Sequence, residues 1–327
     1  MNAPSIISRV SWLTGLLAAC LVHSPAATAD EPSVAHKHAP LVVRSRPVIE
    51  RLPVQVIQPI DLQVARSGAI FVADSQANCI FRLDQFSAVS LLAQNLPGIR
   101  RICLDANESL YVLTSSTGES SLHQITPEGR LIPLHTMPFP AHSFARVGTS
   151  EWLVTDGRQL WQINADSERT LLLKSPVSVL DLCTDPGGSN YVLLADGRVL
   201  QIGLDGESRI AGFFPGNASR LICQTDGRLL VLAKSPVPAK AGTPHLPLGI
   251  YSVSADNAAP PATAVAHLPE GTLAAGFDVL GNLCLANPQL RAVTKVTSRF
   301  RIPCPHCQES VLMIFDANAA PENADNF

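Results

Sequence analysis

The sharpest chemical motif in the sequence is a pair of cysteines near its end, in the stretch Cys304-Pro305-His306-Cys307. Two thiols separated by two residues can bind a metal ion, act as a redox dithiol, or form a disulfide with each other. Structural zinc takes four ligands, and because no second Cys-x-x-Cys pair exists, the site would have to be completed by His306, or by His36 and His38 of the N-terminal arm. A redox role is disfavoured because the twenty residues after Cys307 are too few to form the strands and helices that surround such a dithiol. The preferred interpretation is a local disulfide, with zinc at Cys304 and Cys307 as the alternative.

Charged residues at intervals of roughly 40 positions form a second candidate site. Its members are Asp61, Arg100, Arg101, His142, Asp181 and Arg220. Such a mixed set could hold a polar or anionic small molecule by charge-assisted hydrogen bonds, and in an enzyme these groups would serve as acid, base and anion clamp. The alternative is that Asp61, Arg101 and Asp181 pair with one another and satisfy buried charge without any ligand.

The spacing of these residues follows an internal repeat. Cys103-Leu104-Asp105 lies 80 positions before Cys183-Thr184-Asp185, and Asp156-Gly157-Arg158 lies 40 positions before Asp196-Gly197-Arg198. The unit is therefore about 40 residues long, and six units fit between positions 61 and 301. Repeats of this length build either linear solenoids or radial propellers.

Each unit has the pattern of short antiparallel strands, in which apolar runs alternate with turn residues. In unit one the predicted strands are residues 62–65, 69–73, 79–83 and 89–93. No segment after residue 30 sustains a helical period over three turns. Four short strands per unit predict an all-β, six-bladed β-propeller, because neighbouring blades cover each other's faces and leave only short edges.

The two ends of the repeat region favour a closed ring over a solenoid. Unit six has only three clear strands, at residues 273–277, 283–286 and 292–296. Residues 53–57 precede unit one and have the pattern of an outermost strand without a blade of its own. We therefore predict that residues 53–57 complete the last blade and join the two ends of the propeller.

Unit one also resembles the NHL repeat, the unit of many six-bladed propellers. The resemblance is carried by the strings Asp61-Leu62-Gln63-Val64, Gly68-Ala69-Ile70-Phe71-Val72-Ala73-Asp74 and Asn78-Cys79-Ile80-Phe81-Arg82-Leu83-Asp84. It implies a fold more than an activity, since this superfamily includes peptide and RNA binders, lyases, and calcium-dependent lactonases of the gluconolactonase kind. Those lactonases hold their metal with Glu, Asn and Asp side chains in the channel. The first strand of unit one carries no Glu, and the inner strands of the middle units carry no Asn, so no metal ligand is carried over.

Three further cysteines, Cys103, Cys183 and Cys223, fall at matching positions of the predicted innermost strands. Buried cysteine packs as a small hydrophobic residue, and that is the preferred interpretation. Matching positions in different blades are expected to be too far apart for a disulfide, which needs Cα atoms within about 7 Å.

The first thirty residues have the pattern of an export signal. Arg9 precedes an apolar run at residues 10–22, and Ala27-Thr28-Ala29 offers a cleavage site before Asp30. Thirteen apolar-leaning residues are too few for a transmembrane segment. Leu17-Ala18-Ala19-Cys20 offers a rival cut, after which Cys20 would carry a lipid anchor. The sequence predicts an exported protein, periplasmic or secreted, with the lipoprotein as the alternative.

The predicted organisation is a signal peptide (1–29), an N-terminal arm (30–52), an NHL-like propeller (53–301) and a C-terminal tail (302–327). A formal net charge of -3 disfavours nucleic acid as a partner.

Residues 234–247 form a long connection that could cover the channel mouth. The predicted function is a binding or scaffold protein that recognises a protein or a small polar ligand at the mouth of the channel. A divergent lactonase-like or lyase-like enzyme is the alternative.

Overall fold

The computed structural model describes residues 41–43, 47–214, 217–224, 227–233, 248–253, 264–303 and 310–315. Within these ranges every regular element is a β-strand. The first fourteen strands are β1 (Leu41–Val43), β2 (Val48–Leu52), β3 (Pro59–Val64), β4 (Ile70–Asp74), β5 (Cys79–Leu83), β6 (Val89–Ala93), β7 (Ile99–Leu104), β8 (Leu110–Ser115), β9 (Ser120–Ile125), β10 (Leu131–Met137), β11 (Ser143–Val147), β12 (Glu151–Thr155), β13 (Gln159–Ile163) and β14 (Arg169–Lys174). The others are β15 (Val179–Thr184), β16 (Asn190–Leu194), β17 (Arg198–Ile202), β18 (Ser208–Phe213), β19 (Ala218–Cys223), β20 (Leu229–Ala233), β21 (Gly249–Ser252), β22 (Ala264–His267), β23 (Ala274–Phe277), β24 (Leu283–Asn287), β25 (Ala292–Thr297), β26 (Arg299–Pro303) and β27 (Ser310–Phe315).

Six four-stranded antiparallel sheets form the blades of a propeller, which confirms the predicted fold. Blades 1 to 5 consist of consecutive strands, β3–β6, β7–β10, β11–β14, β15–β18 and β19–β22. The first strand of each blade is the innermost. The strands predicted at residues 79–83 and 89–93 coincide with β5 and β6, whereas β3 begins three residues earlier than predicted.

Blade 6 closes the ring, but with a different segment from the predicted one. Its order is β2-β25-β24-β23, and β2 pairs antiparallel with β25 from Val48↔Thr297 to Leu52↔Val293. The closing strand is therefore Val48–Leu52, and the prediction of residues 53–57 was wrong by five positions. Those residues instead cross from blade 6 to blade 1, where Val54 and Val56 are 3% and 0% exposed. Burial of alternate valines, which suggested a strand, here reflects packing between two blades.

The hydrophobic core lies between the blades. Six clusters of buried side chains occupy the six junctions between neighbouring blades, one cluster to each junction. At the closing junction, Leu62 and Val72 of blade 1 pack with Ala286 and Val293 of blade 6. Gly276 on β23 permits this approach, because a Cβ there would lie 2.9 Å from the side chain of Leu62. Burial of apolar surface between blades thus stabilises the ring.

A separate three-stranded sheet joins the two ends of the described chain. β26 and β27 form an antiparallel hairpin, and β1 pairs parallel with β27, with Leu41 opposite Met313. Asn282 of blade 6 holds the start of this sheet: its Nδ2 donates to the Arg299 carbonyl, and its Oδ1 accepts from the Ser298 and Arg299 amides. Cys304, Cys307, Cys20 and residues 234–247 lie outside the described residues, so the disulfide, zinc, lipid-anchor and cover hypotheses remain predictions.

No helix in the described ranges has the length and apolar character that crossing a membrane requires.

Candidate functional site

Six equivalent positions on the innermost strands face one another around the channel. They are identified by their partners on the second strand of each blade, and they are Asp61, Arg101, Ser143, Asp181, Arg220 and Ala274. We call this set the charge ring. In the four blades whose member is charged, the inner strand has a register shift immediately before that residue. Ser143 and Ala274 follow regular pairing. A β-bulge changes the direction in which a side chain points, so the bulges accompany the placement of charge in the channel.

The charged members of the ring pair with each other across the channel. Arg101 lies 3.2 Å from an Asp61 oxygen and 3.0 Å from an Asp181 oxygen. Arg220 lies 3.7 Å from Asp181 and donates to the Ile60 carbonyl at 2.7 Å. The ring therefore contains two guanidinium groups and two carboxylates in one connected network.

Hydrogen bonds from neighbouring blades complete the network. The Ser143 hydroxyl donates to Asp181 at 2.6 Å. The backbone amides of Ile102 and Leu221 donate to Asp61 and Asp181, each at 2.9 Å. A carboxylate can be buried without a large cost only when its oxygen atoms accept hydrogen bonds or face a cation. These contacts provide the hydrogen bonds.

The surroundings shift the pKa values of the two arginines of the network in opposite directions. Asp181, Asp61 and Arg101 are 0%, 4% and 7% exposed. Burial on its own would lower the pKa of Arg101, but the carboxylates of Asp181 and Asp61 outweigh it and raise that pKa above its usual value. Burial, followed by repulsion from Arg101, lowers the pKa of Arg220 despite the attraction of both carboxylates. Arg101 is thus the guanidinium group that contacts both carboxylates of the network.

The structure separates the six residues that the sequence singled out. Asp61, Arg101, Asp181 and Arg220 meet in the charge ring. Arg100 is the bulged residue before Arg101 and is exposed, and His142 is also exposed and lies beside Gly157. The alternative in which Asp61, Arg101 and Asp181 pair with one another describes the observed geometry. A ligand role for the six residues stays a prediction.

A cavity of about 530 Å³ extends from the charge ring along the channel. Innermost strands of all six blades line it, beginning at Asp61, Arg101 and Arg220. Its other end is lined by the turns that connect the first and second strands of the blades, including Gly148, Gly188 and Gly281. We call this end the turn face. The cavity thus lies on the far side of the ring from the loops by which the inner strands enter the channel.

Charges of opposite sign alternate around the turn-face half of the cavity. Arginines line it from blades 1, 3 and 5, and aspartates line it from blades 2, 4 and 6; in blade order these are Arg66, Asp105, Arg146, Asp185, Arg228 and Asp278. Glu108 and Arg299 add one charge of each sign. The charges on the wall of the cavity are therefore close to balanced.

Arg146 occupies a position where the other inner strands carry uncharged residues. Its guanidinium contacts the Asp105 carboxylate, the Tyr111 hydroxyl and the Thr149 carbonyl. It also lies 4.8 Å from the centre of the Tyr111 ring, within the range of a cation–π contact. Its Nε is buried and has no hydrogen-bond partner among the described residues.

Gln224 occupies the position held by aspartate in three other blades. Asp105, Asp185 and Asp278 each accept a hydrogen bond from the amide four residues later and so cap their own turns. The Gln224 amide makes the same backbone hydrogen bond, to the Arg228 carbonyl, that these aspartates make in their turns. Gln224 is 8% exposed, and its Oε1 has no hydrogen-bond partner in the described part of the chain. Sequence reasoning missed this residue, although a glutamine at a repeated aspartate position was a visible signal.

The cysteine predictions need one correction. Cys183 and Cys223 form a disulfide between the inner strands of blades 4 and 5, with their Cα atoms 6.3 Å apart. Cys183 pairs with Tyr191 but Cys223 pairs with Leu229, the equivalent of Asn190, so the two are offset by one residue. Adjacent inner strands approach each other near the axis, which makes the distance short enough. Cys103 is a free thiol in the cavity wall, and burial raises its pKa to about 11.

No group of three or more His, Cys, Asp and Glu side chains within the described ranges is arranged to hold a metal ion.

Comparison with known proteins supports the fold. No family profile and no curated protein sequence matches the chain. Among solved structures, a putative gluconolactonase matches with a TM-score of 0.58 at 11% identity, over 83% of this chain and 94% of its own. A gluconolactonase from Xanthomonas campestris matches with a TM-score of 0.59 at 10% identity, over 77% and 89%. Virginiamycin B lyase from Staphylococcus aureus matches with a TM-score of 0.55 at 11% identity, over 77% and 99%. At these identities the likeness shows the propeller fold alone.

Proposed function

We propose that this protein is an exported, NHL-like binding propeller that holds a small polar ligand in its central cavity. The observation that carries the proposal is the cavity itself, which is lined by every blade and has a volume of about 530 Å³. Sites for small molecules have volumes of roughly 300–1,000 Å³ and combine apolar walls with a few placed polar groups. Leu104, Ile222 and Phe277 supply apolar wall here, and the alternating charges supply the polar groups.

The charge ring supports this function by closing one end of the cavity. Its donors and acceptors bind one another, so the cavity has a rigid, charged floor. A ligand then enters from the turn face. Preorganised polar groups reduce the ordering cost of binding.

A binding screen on a blocked variant tests the proposal. Gln63 lies half-buried in the cavity wall, and Gln63→Trp would fill part of the space. Ligand-observed NMR with a library of small sugars, hydroxy acids, amino acids and nucleosides should find binders to the wild type that Gln63→Trp no longer binds. Gln201→Trp is the matched control, since Gln201 is half-buried on β17 away from the cavity. A screen that finds no binder would contradict the proposal. So would ligands that bind Gln63→Trp as tightly as they bind Gln201→Trp.

Export is supported by the disulfide between Cys183 and Cys223, because disulfides persist mainly in oxidising compartments. The signal-like residues 1–29 agree with it. Expression of the full chain in a bacterium, followed by fractionation and mass measurement of the mature N-terminus, tests export. A mature chain that starts at Asp30 is expected, a lipidated Cys20 would support the membrane-tethered form, and an uncleaved cytoplasmic chain would contradict export.

Catalysis in the same cavity is the second candidate. The similar structures include a lyase, a putative gluconolactonase and a gluconolactonase, and Tyr111, Asp105 and Arg146 form a hydrogen-bonded group at the cavity. Following any ligand found in the screen by NMR over several hours distinguishes the two functions. An unchanged ligand supports binding, and a converted ligand supports catalysis.

A further inference from the structure

We propose that the cavity is built for a small zwitterion, a molecule with one carboxylate and one ammonium group and the size of an amino acid or short peptide. The inference rests on the proposed function, because it specifies the ligand of the same cavity. Three observations carry it: the acceptor on Gln224, the donor on Arg146, and the alternation of charge around the wall.

Gln224 presents a hydrogen-bond acceptor that the fold does not use. In blades 2, 4 and 6 the aspartate at this position accepts amides of its own turn. Gln224 carries one more methylene group and no charge, and its Oε1 is buried without a partner in the described part of the chain. A buried unpaired acceptor costs about 1–3 kcal/mol. Rotation of the Gln224 side chain toward the cavity that it lines would let a ligand N–H remove that cost, and the carboxylate of Asp185 on the adjacent blade supplies the opposite charge for an ammonium group.

Arg146 presents the complementary donor. Its terminal nitrogens bind Asp105, Tyr111 and Thr149, but its Nε is buried and unpaired among the described residues. Five such unpaired buried atoms occur in the described chain, and only those of Arg146 and Gln224 belong to residues that line the cavity. A guanidinium N–H is a preferred partner of carboxylate oxygens. A ligand carboxylate on blade 3, reached by a shift of the Arg146 side chain, would therefore give its Nε the acceptor that this one atom lacks.

The charge pattern distinguishes a zwitterion from a simple anion or cation. Arginines on blades 1, 3 and 5 alternate with aspartates on blades 2, 4 and 6 around the cavity. A ligand with one charge meets repulsion from half of these groups, whereas a ligand with two opposite charges can place each against its complement. Like-charge contacts and unpaired charges are the usual means of rejecting a wrong ligand.

Three peptides that share one skeleton test the charge requirement on the intact protein. Alanyl-alanine carries both charges at pH 7, N-acetyl-alanyl-alanine only the negative one, and alanyl-alanine amide only the positive one. Isothermal titration should show alanyl-alanine binding about tenfold tighter than either blocked peptide, since each lost pair leaves a buried group unpaired. Equal affinities for the three, or no binding of alanyl-alanine, would overturn the proposal.

A variant of Gln224 tests the assigned contact. Gln224→Met keeps the shape of the side chain and removes the unpaired acceptor, so the melting temperature should stay the same or rise while affinity for alanyl-alanine falls about tenfold. Gln162→Met is the control: Gln162 pairs with Glu151 on blade 3 outside the cavity, and affinity should not change. A structural role for Gln224 would instead lower the melting temperature and leave the affinity unchanged, which would overturn the assignment.

The outcomes separate this inference from the proposed function. Binding of a sugar or hydroxy acid that Gln63→Trp abolishes, together with no preference for alanyl-alanine, refutes the zwitterion alone. Absence of every ligand from the screen refutes both.

Discussion

Asp181 is the most tightly held residue of the channel. Its carboxylate accepts from the Ser143 hydroxyl and the Leu221 amide and faces both Arg101 and Arg220, while no part of the residue is exposed. Because burial removes the hydration of all these charges, each group depends on the others for compensation. At the scale of single residues, the channel is stabilised as one coupled network.

Removing Asp181 should therefore be costly. Asp181→Ala leaves the Arg101 and Arg220 guanidinium groups with only Asp61 as a carboxylate partner, and we expect the free energy of unfolding to fall by about 3–5 kcal/mol. Urea denaturation followed by circular dichroism measures it. The control is Asp196→Ala, which breaks a pair with Arg198 whose side chains are 35% and 37% exposed, and should cost at most about 1 kcal/mol. Equal losses in both variants would contradict the coupled network.

Two buried thiols and one partly buried thiol should make the free energy of unfolding depend on alkaline pH. Burial raises the pKa of Cys79 and Cys103 to about 11 and that of Cys284 to about 12, from an ordinary value of 9.0. Because the folded values are the higher ones, the stabilisation is complete below pH 9 and is lost as pH rises through about 11. Urea midpoints measured from pH 7 to 10.5 should fall above pH 9.

Alkylation of Cys103 checks the same prediction at one residue. Its tryptic peptide, residues 102–130, contains no other cysteine. Iodoacetamide at pH 8 should modify this peptide much more slowly in the folded protein than in urea, since the thiolate is the reactive form. Equal rates would show that the thiol is not held protonated by the fold.

The inner strand is the element that positions chemistry in this protein. Four of these strands contain a bulge immediately before the charged residue that enters the channel. Residue spacing alone does not reveal a bulge, which is why the sequence assigned both Arg100 and Arg101 to the channel although only Arg101 enters it. Repetition predicted the elements well, but local departures from regular pairing decided which side chains meet.

Other differences between sequence and structure have equally local causes. The 40-residue spacing of Cys183 and Cys223 suggested equivalent positions, yet the register is offset by one residue and brings the sulfurs together. Residues 53–57 have the alternation of a strand because Val54 and Val56 pack between two blades. Gln224 could have been found from the repeat, but only the geometry of the turn shows that its side-chain oxygen is unpaired.

The disulfide between blades 4 and 5 should contribute strongly to the free energy of unfolding. It closes a loop of about 41 residues, and loop closure of that length removes about 4 kcal/mol of unfolded-state entropy. We expect a reducing agent to lower the urea midpoint of the wild type. The double variant Cys183→Ser with Cys223→Ser should start from the lower midpoint and show no further response to the reductant. A wild-type urea midpoint that does not change when the disulfide is reduced would contradict the prediction.

The whole molecule is held together by contacts between distant parts of the chain. Blade 6 takes its fourth strand, Val48–Leu52, from before blade 1, and the buried clusters continue around the ring without interruption. Because every junction is apolar and every blade has two neighbours, weakening the closing junction should destabilise the ring as a unit.

A pair of neighbouring residues tests closure. Val56 is 0% exposed and lies in the cluster between blades 6 and 1, whereas Ile57 is 51% exposed. Val56→Asp places an unpaired charge in that cluster and should reduce the free energy of unfolding by more than about 3 kcal/mol. Ile57→Asp should change it by less than about 0.5 kcal/mol. Similar values for the two variants, measured by urea denaturation, would show that packing of Val56 between blades 6 and 1 does not stabilise the closed ring.

The small sheet beside blade 6 determines how the protein responds to mechanical load. β1 runs parallel to β27, so a pull on the chain before Leu41 and another on the chain after Phe315 act along the two strands in opposite directions. That geometry is shear: the hydrogen bonds between the strands share the force and must break together. Tension applied at Leu41 and Phe315 is therefore borne first by this sheet, and it reaches the blades and their cavity only after the sheet fails.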